Sequence, residues 1–484
     1  MVKTNFIDVI RTFSKEEMKR FSDFANSPYH NTGKAVMRLV ELVKKYHPDF
    51  ENRNFTKEKI FAKVFSSDVY NDQVMRNLMS DALQLCYDFI VIESTGKDKN
   101  LKMRYILHEL RTRSLDSLYD KNLKNAYRTV QMEHSLDFTY FDNLYRLEGE
   151  VFLNEITHNR QEGVYPVVAR QGELLTYDFI SKLTNHIIDM KVNERYYNIS
   201  GSDSFIQKIF EGLDIDAVLN KIKSSSEKEH SVLLLFYYRA MLALNGREDD
   251  YIKFRELFLE NTELFNRSTC YNFFTTLETF CIDNIKIDPA KYRAELNEIH
   301  RRSIDLNLLR LYEDGTLHLL KYWNIFINSV EINQIDWAEE FAEKHSDYLE
   351  PEIREGALSF ARAIILYKRR SYDKALEMLN KTRLSQFLFR LSIRTFYLRI
   401  YFEKGDYQSA GFALDSYKQF LYKNKSISDS YRNLYLNFAA IYYELLKMRS
   451  GEKKPDLNEI KNKIDAVTPN LHSRQWLIEM AEQL

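Results

Sequence analysis

The residues best suited to chemistry are sparse in this chain and do not fall at catalytic spacings. His108 and Glu109 match the first half of a zinc-protease motif, in which two histidines four residues apart bind the metal and the glutamate acts as general base. Thr112 stands where the second histidine is needed. Adjacent carboxylates such as Glu339 and Glu340 point about 100° apart on a helix, as on an ordinary solvated face. These residues therefore predict no catalytic or metal site.

Glycines and cysteines give no sign of a cofactor. The 13 glycines occur singly, without a P-loop, a Gly-x-Gly-x-x-Gly loop or a Gly-x-Ser-x-Gly elbow. The three cysteines, Cys86, Cys270 and Cys281, lack metal-ligand spacing and are too few for a disulfide framework, so we expect buried thiols in a reducing compartment. The sequence predicts a protein that is not an enzyme and binds no cofactor. Only an active site assembled from distant residues would leave no such pattern.

Composition favours a helical protein with a large core. In 484 residues there are 13 Gly and 7 Pro, far too few for the many turns of a β-rich protein. With 44% hydrophobic and 29% charged residues, the chain can bury a core and keep a solvated surface. The net charge of −1 comes from 69 basic and 70 acidic residues mixed along the chain, which argues against a nucleic-acid partner because such proteins usually show a basic face.

Neither a secretory signal nor a membrane span is predicted. Asp8 interrupts the short apolar run near the start of the sequence, which therefore lacks the apolar core of a secretory signal. The most apolar window, Val232 to Leu244, has 13 residues and includes Arg239, whereas a helix needs about 20 apolar residues to cross a bilayer. We therefore expect a cytoplasmic protein.

Three stretches in the second half of the chain carry one signature at a constant spacing. Their aromatics, Trp337, Tyr372 and Tyr407, lie 35 residues apart each time. A fixed period of this size is typical of an α-solenoid of helical hairpins, in which each unit buries its apolar face only against its neighbours. The pattern predicts an all-α protein and favours protein binding.

The turn chemistry resembles that of tetratricopeptide repeats. Gly405-Asp406-Tyr407 is similar to the turn between the two helices of that repeat, and Ala410 stands at the small position, where helix B must approach helix A closely. The preceding unit has Tyr372 and Ala375 at the same places. Ser359 and Arg394 depart from the family, which usually has tryptophan there. The resemblance covers about residues 335–423 and implies an array that binds a protein or peptide; another α-solenoid or an irregular helical domain is the alternative.

Helix signals organise the rest of the chain. Ser14 and Glu17 form a capping box, and Asn71 opens a long helix. We predict an N-terminal helical module over residues 1–95, long paired helices over 96–200, and a tetratricopeptide-like array with C-terminal capping helices over 205–484. A soft boundary is placed at the linker-like Ser200-Gly201-Ser202-Asp203-Ser204.

An alternative function comes from the segment between Thr56 and Phe89, which has a helix-turn-helix outline. A role in DNA binding would require the start of its second helix to face a groove; that start carries Asn71, Asp72, Gln73, Arg76 and Asn77. The acidic residues Asp68, Asp72 and Asp81 argue against DNA binding. Such a module followed by repeats resembles the layout of bacterial peptide-sensing regulators, so a regulator whose N-terminal helices bind DNA is the alternative to a scaffold.

The repeat register places eight residues on the inward face of helix A in two successive units. They combine aromatic anchors with flanking charges, as in a peptide groove: Phe360, Ile364, Tyr367 and Lys368 in one unit, and Thr395, Arg399, Phe402 and Glu403 in the next. The alternative is that the aromatics pack against neighbouring helices. The sequence thus predicts a non-enzymatic scaffold for a protein or peptide, and it identifies neither the partner nor the oligomeric state.

Overall fold

The protein is all-helical in the part of the chain that the structure describes. The computed structural model describes residues 4–53, 55–67, 69–132, 136–196, 205–312, 315–424, 429–468 and 471–484. These residues form 24 α-helices that give 79% helix, and they contain no β-strand. A single isolated β-bridge joins Leu136 to Phe265 within them. The prediction of an all-α protein is confirmed.

The chain forms two compact units. Residues 1–129 and 149–160 make up the first unit, and residues 130–148 and 161–484 the second. The boundary predicted at Ser200 to Ser204 lies outside the described residues.

Seven helices precede residue 131 in the described chain, and an eighth follows: α1 (Asn5–Arg11), α2 (Lys15–Asn26), α3 (Lys34–Lys44), α4 (Lys57–Phe65), α5 (Asp72–Lys97), α6 (Lys99–Thr112), α7 (Asp116–Val130) and α8 (Tyr140–Thr157). The capping box that begins α2 is confirmed, since the Glu17 N–H donates to Ser14 Oγ at 3.1 Å and the Ser14 N–H donates to Glu17 at 2.8 Å. The core of the first unit consists of aromatic and aliphatic side chains, with Phe6, Phe21 and Leu39 buried in one cluster.

The second unit contains residues 140–148 of α8 and the remaining helices: α9 (Gln161–Tyr196), α10 (Phe205–Glu211), α11 (Ile215–Ser225), α12 (Glu227–Asn245), α13 (Glu248–Glu260), α14 (Arg267–Asn284), α15 (Pro289–Asp305), α16 (Leu319–Glu331), α17 (Ile335–His345), α18 (Pro351–Lys368), α19 (Tyr372–Lys381), α20 (Phe387–Lys404), α21 (Tyr407–Lys423), α22 (Asp429–Arg449), α23 (Leu457–Val467) and α24 (Arg474–Ala481). From α11 onward, successive helices pack on one another in chain order. In addition, α18 packs on both α16 and α20.

The turn between α20 and α21 shows why the helices break where they do. Gly405 has φ +80°, a left-handed conformation that glycine adopts without strain. Asp406 then caps α21 by accepting a hydrogen bond from the Ser409 N–H at 3.1 Å. Ala410 and its counterpart Ala375 in α19 are fully buried, as the repeat register predicted.

Two hydrophobic clusters hold the later helices together. One is formed mainly by α16 to α20 and includes Trp323 and Phe360. The other is formed by α20 to α24 and includes Phe402, Tyr442 and Trp476. In the described chain no helix has both the length and the hydropathy required to span a membrane.

Candidate binding surface

The structure divides the eight predicted groove residues into core and surface. Five lie in the hydrophobic interior: Phe360, Ile364, Tyr367, Thr395 and Phe402. Phe360, for example, is fully buried and stacks on Trp323 of α16 with ring centroids 4.4 Å apart. Side chains buried in this way join neighbouring helices and offer no surface to a partner. Lys368, Arg399 and Glu403 keep contact with solvent.

Lys368 and Arg399 belong to a charged group centred on Glu331, the last residue of α16. The Lys368 Nζ lies 3.7 Å from Glu331 Oε1, and Arg293 Nη2 of α15 lies 3.9 Å from Oε2. Between 24% and 32% of these three side chains is exposed, so the group opens to solvent. We refer to Arg293, Glu331, Lys368 and Arg399 as the Glu331 cluster.

The Glu331 cluster contains more cations than carboxylates, and these charges shift the pKa values of Glu331 and Arg293. Burial raises the pKa of Glu331, but the charges of Arg399, Lys368 and Arg293 outweigh burial and hold that pKa below its ordinary value. Burial lowers the pKa of Arg293; the charge of Glu331 opposes this shift, and the weaker repulsion from Arg399 adds to it. One carboxylate therefore faces three positive charges, and the cluster has an excess of positive charge.

Arg399 is held in place by contacts with the C-terminal helix. Its Nη2 donates to Ser473 Oγ at 2.6 Å, and its guanidinium lies over the Trp476 ring at 5.6 Å. Its Nε is buried, with no hydrogen-bond partner among the described residues. Within the described part of the chain, this buried Nε–H is therefore an unused donor of the guanidinium.

Glu403 is already engaged by three neutral donors. Tyr367 donates to one carboxylate oxygen, Tyr372 donates to the other at 3.0 Å, and Trp476 Nε1 donates to the first at 2.7 Å. Burial and the nearby negative charge raise the pKa of Tyr372 to about 12. Glu403 therefore fixes α18, α19, α20 and α24 together.

A fully buried ion pair lies further towards the N-terminus of the same unit. Lys321 of α16 donates to Glu278 of α14 at 2.8 Å, with 5% and 8% of the two side chains exposed. Next to it, His300 of α15 is 1% exposed, and neither ring nitrogen has a partner among the described residues. Burial, and then the charge of Lys321, lower the pKa of His300 to about 3. The ion pair and His300 thus both lie in the interior of the second unit.

Arg293, Glu331, Glu278 and Lys321 were not predicted from the sequence. The one signal in the sequence was local: Lys321 is the single Lys, Arg, Asp or Glu in a mostly apolar stretch from Leu317 to Phe326, whose other polar residues are His318 and Asn324. A charge within such a stretch indicates a partner on another helix. Nothing in the sequence indicates which helix supplies it.

At the start of α5, the polar side chains considered for DNA binding are paired with one another. Asn71 caps the helix and accepts from the Val74 N–H at 3.1 Å. Arg76 Nε donates to Asp72 at 2.8 Å, and Gln73 Nε2 donates to Asn77 at 3.0 Å. Asp68 lies outside the described residues. These contacts describe an ordinary capped helix start.

No group of three or more His, Cys, Asp or Glu residues within the described ranges could hold a metal ion. All three cysteines are buried thiols, and burial raises the pKa of Cys270 to about 11 and that of Cys281 to about 12. Comparison of the chain with protein-family models, with curated proteins and with solved structures finds no match.

Proposed function

We propose that this protein is a non-enzymatic scaffold in which an α-solenoid of tetratricopeptide-like hairpins binds a protein or peptide segment that carries an acidic group. The observation that supports this proposal most directly is the Glu331 cluster, where three cations surround one carboxylate at a solvent-accessible position. The buried thiols suit a reducing compartment, so the proposed location is the cytoplasm.

Support for the array comes from the order of packing. Successive helices contact one another along the chain, and α18 contacts both α16 and α20. Glu331, Lys368 and Glu403 occupy the last or next-to-last position of α16, α18 and α20. Equivalent positions of adjacent helices thus carry charged side chains, as expected if one face of consecutive hairpins forms a common surface.

Support for an acidic ligand comes from charge balance. Arg293, Lys368 and Arg399 bring three positive charges against the negative charge of Glu331, and they still outnumber the carboxylates when Glu403, whose hydrogen bonds from neutral donors leave its charge in place, is counted. A carboxylate or phosphate of a partner would reduce the repulsion between Arg293 and Arg399. It would also form charge-assisted hydrogen bonds, which are about twice as strong as neutral ones.

The test uses a phage-displayed library of random peptides, selected on the immobilised full-length protein. The informative variant is Lys368→Glu, which reverses a charge of the Glu331 cluster. Its matched control is Lys374→Glu, the same change at an exposed position of α19. The wild type and the control should enrich peptides rich in Asp and Glu, whereas Lys368→Glu should not.

An enriched peptide, synthesised with a fluorescent label, should bind Lys368→Glu at least tenfold more weakly than the control in an anisotropy titration. Its affinity should also fall with added salt, because the contact is partly exposed. No enrichment over bare support would overturn the scaffold proposal. Enriched peptides that lack acidic residues, or that bind both variants equally, would reject the Glu331 cluster as the binding surface.

A further inference from the structure

Three arginines beside α20 lack an acidic partner among the described residues. Arg383 lies in the loop before α20, and Arg390 and Arg394 lie four positions apart on the helix. Neighbouring lysines do have such partners, since Lys381 pairs with Glu377. The absence is unusual because acidic and basic residues are almost equal in number over the whole chain, 70 and 69. We refer to Arg383, Arg390 and Arg394 as the α20 arginines.

Two of the α20 arginines share one aromatic ring. The guanidinium carbons of Arg390 and Arg394 lie 5.1 and 4.3 Å from the ring centroid of Phe420 in α21. Phe387 stacks on the same ring with centroids 5.0 Å apart, which fixes its orientation. Burial and then the charge of Arg390 lower the pKa of Arg394, against a smaller opposing effect of Tyr397. The two guanidiniums are thus held side by side in spite of their mutual repulsion.

The third arginine is joined to this pair through Asn380 at the end of α19. Arg383 Nη1 donates to the backbone oxygen of Asn380 at 2.7 Å, and the Asn380 side chain accepts from Tyr397 Oη at 2.6 Å. Burial and then Tyr401 raise the pKa of Tyr397, whereas the charges of Arg383 and Arg394 lower it. The α20 arginines therefore surround Tyr397 on one surface formed by α19, α20 and α21.

The carboxylates of this segment are engaged elsewhere. From Tyr372 to Asn424 the sequence has nine Lys and Arg but five Asp and Glu. One of these five, Asp415, lies five positions from Phe420 and therefore about 140° around α21 from that ring. The other four bind different groups: Asp373 pairs with Lys404, Glu377 with Lys381, Glu403 accepts from Trp476, and Asp406 caps α21.

This surface is separate from the Glu331 cluster. Arg394 and Arg399 of that cluster are five positions apart, so they point about 140° apart around α20. Arg399 faces Ser473 and Trp476 of α24, whereas Arg394 faces Phe420 of α21. The α20 arginines are therefore a second anion-binding surface, which does not depend on the proposed function of the first.

We propose that the α20 arginines bind the phosphate group of a phosphorylated peptide segment of a partner protein. A phosphorylated side chain brings nearly two negative charges and three acceptor oxygens, and the planar fork of a guanidinium binds such oxygens in pairs. Three guanidiniums without a carboxylate match this group better than a carboxylate, which has one charge and two oxygens. A nucleic acid would need a longer row of phosphate contacts, and this chain has a net charge of −1.

The first test compares two sets of random peptides that differ in one phosphate. One set has phosphoserine or phosphotyrosine at a fixed central position, and the other has the unmodified residue there. Both sets are captured on the immobilised full-length protein and identified by mass spectrometry. The wild type should retain phosphorylated peptides at least tenfold more than their unmodified counterparts. Equal retention of the two sets would overturn the proposal.

The second test reverses single charges at exposed positions. Arg390→Glu and Arg383→Glu each change one of the α20 arginines, and Arg302→Glu at an exposed position of α15 is the matched control. A fluorescent phosphopeptide retained by the wild type should bind both α20 variants at least tenfold more weakly than the control in an anisotropy titration. Circular dichroism of all four proteins should be the same. Folded α20 variants that bind like the control would reject this surface.

The last comparison separates this surface from the alternatives. Lys368→Glu alters the Glu331 cluster and should bind the phosphopeptide as the wild type does, even if that cluster has no ligand of its own. A loss of at least tenfold in Lys368→Glu would place the phosphate at the Glu331 cluster instead. An excess of oligothymidine should not displace the phosphopeptide. Displacement, with oligothymidine binding that is lost in Arg390→Glu, would overturn the proposal in favour of single-stranded nucleic acid.

Discussion

Trp476 of α24 donates its indole N–H to the Glu403 carboxylate of α20 at 2.7 Å, across 73 positions of the sequence. The indole ring also stacks on Tyr442 and meets the edge of Phe402. Since Tyr367 of α18 donates to the same oxygen of Glu403, one carboxylate links helices that are distant in sequence. This link fixes the orientation of α24 beside Arg399, whose guanidinium donates to Ser473.

The energy of the Trp476–Glu403 bond can be isolated with a double-mutant cycle. Trp476→Phe removes the donor, and Glu403→Gln removes the charge of the acceptor. Because hydrogen bonds to charged groups contribute about 1.5–3 kcal/mol, each single variant should lower the free energy of urea unfolding. The double variant should lose about 0.5–3 kcal/mol less than the sum. Strict additivity would show that the charge of Glu403 does not strengthen its contact with Trp476, since a glutamine amide oxygen can still accept the indole N–H.

Two helical glycines should respond to alanine in opposite directions. A Cβ on Gly356 of α18 would lie 2.6 Å from the backbone oxygen of Arg383, a distance that no relaxation of a side chain relieves. A Cβ on Gly411 of α21 meets nothing within 4 Å. Gly411→Ala should therefore raise the melting temperature, since alanine stabilises a helix by about 1 kcal/mol relative to glycine. Gly356→Ala should lower it, and an increase at both positions would contradict the close approach at Arg383.

The local features of this fold were predictable because their causes lie within a few residues. Gly405, Asp406 and Ala410 determine a left-handed turn, a helix cap and a close helix contact inside one six-residue segment. The capping box at Ser14 is equally local. Helical periodicity and capping residues therefore predicted the helices, and the resemblance to tetratricopeptide repeats supplied the register that predicted the burial of both alanines.

The candidate groove was less predictable because burial depends on distant helices. The register places Phe360 and Phe402 on one face of their helices, but the residues that cover them, Trp323 and Trp476, come from α16 and α24. The Glu331 cluster draws on four helices. No spacing in the sequence shows which of these side chains meet, so a groove of eight residues was predicted where the structure leaves three in contact with solvent.

His300 should make the stability of the second unit depend on pH. Burial beside Lys321 lowers its folded-state pKa to about 3, whereas an unfolded histidine has a pKa of about 6.5. Below that value the unfolded chain binds an extra proton, so stability is complete above pH 6.5 and is lost as the pH falls towards 3. Between pH 7 and pH 5 the loss attributable to His300 is about 2 kcal/mol.

The variant His300→Leu removes this titration and should stay closer to its pH 7 stability. Urea unfolding of the wild type and of His300→Leu at pH 7, 6 and 5 measures the difference. As the pH falls, the free energy of unfolding should decrease more for the wild type than for His300→Leu. Parallel curves would mean that His300 is protonated equally in the folded and unfolded chain, contrary to its burial.

The buried pair of Lys321 and Glu278 should behave as a single unit. Removing one partner leaves an uncompensated charge in an apolar surrounding, which costs about 3–5 kcal/mol. Glu278→Leu should accordingly destabilise the protein strongly, because among the described residues Lys321 then keeps the contact with the ring of Tyr271, 4.6 Å from its Nζ, but no carboxylate partner. The double variant Lys321→Met/Glu278→Leu replaces the pair with apolar side chains and should be more stable than Glu278→Leu alone. A double variant that is less stable than this single variant would show that the charges contribute independently, and that Lys321 reaches solvent when its partner is removed.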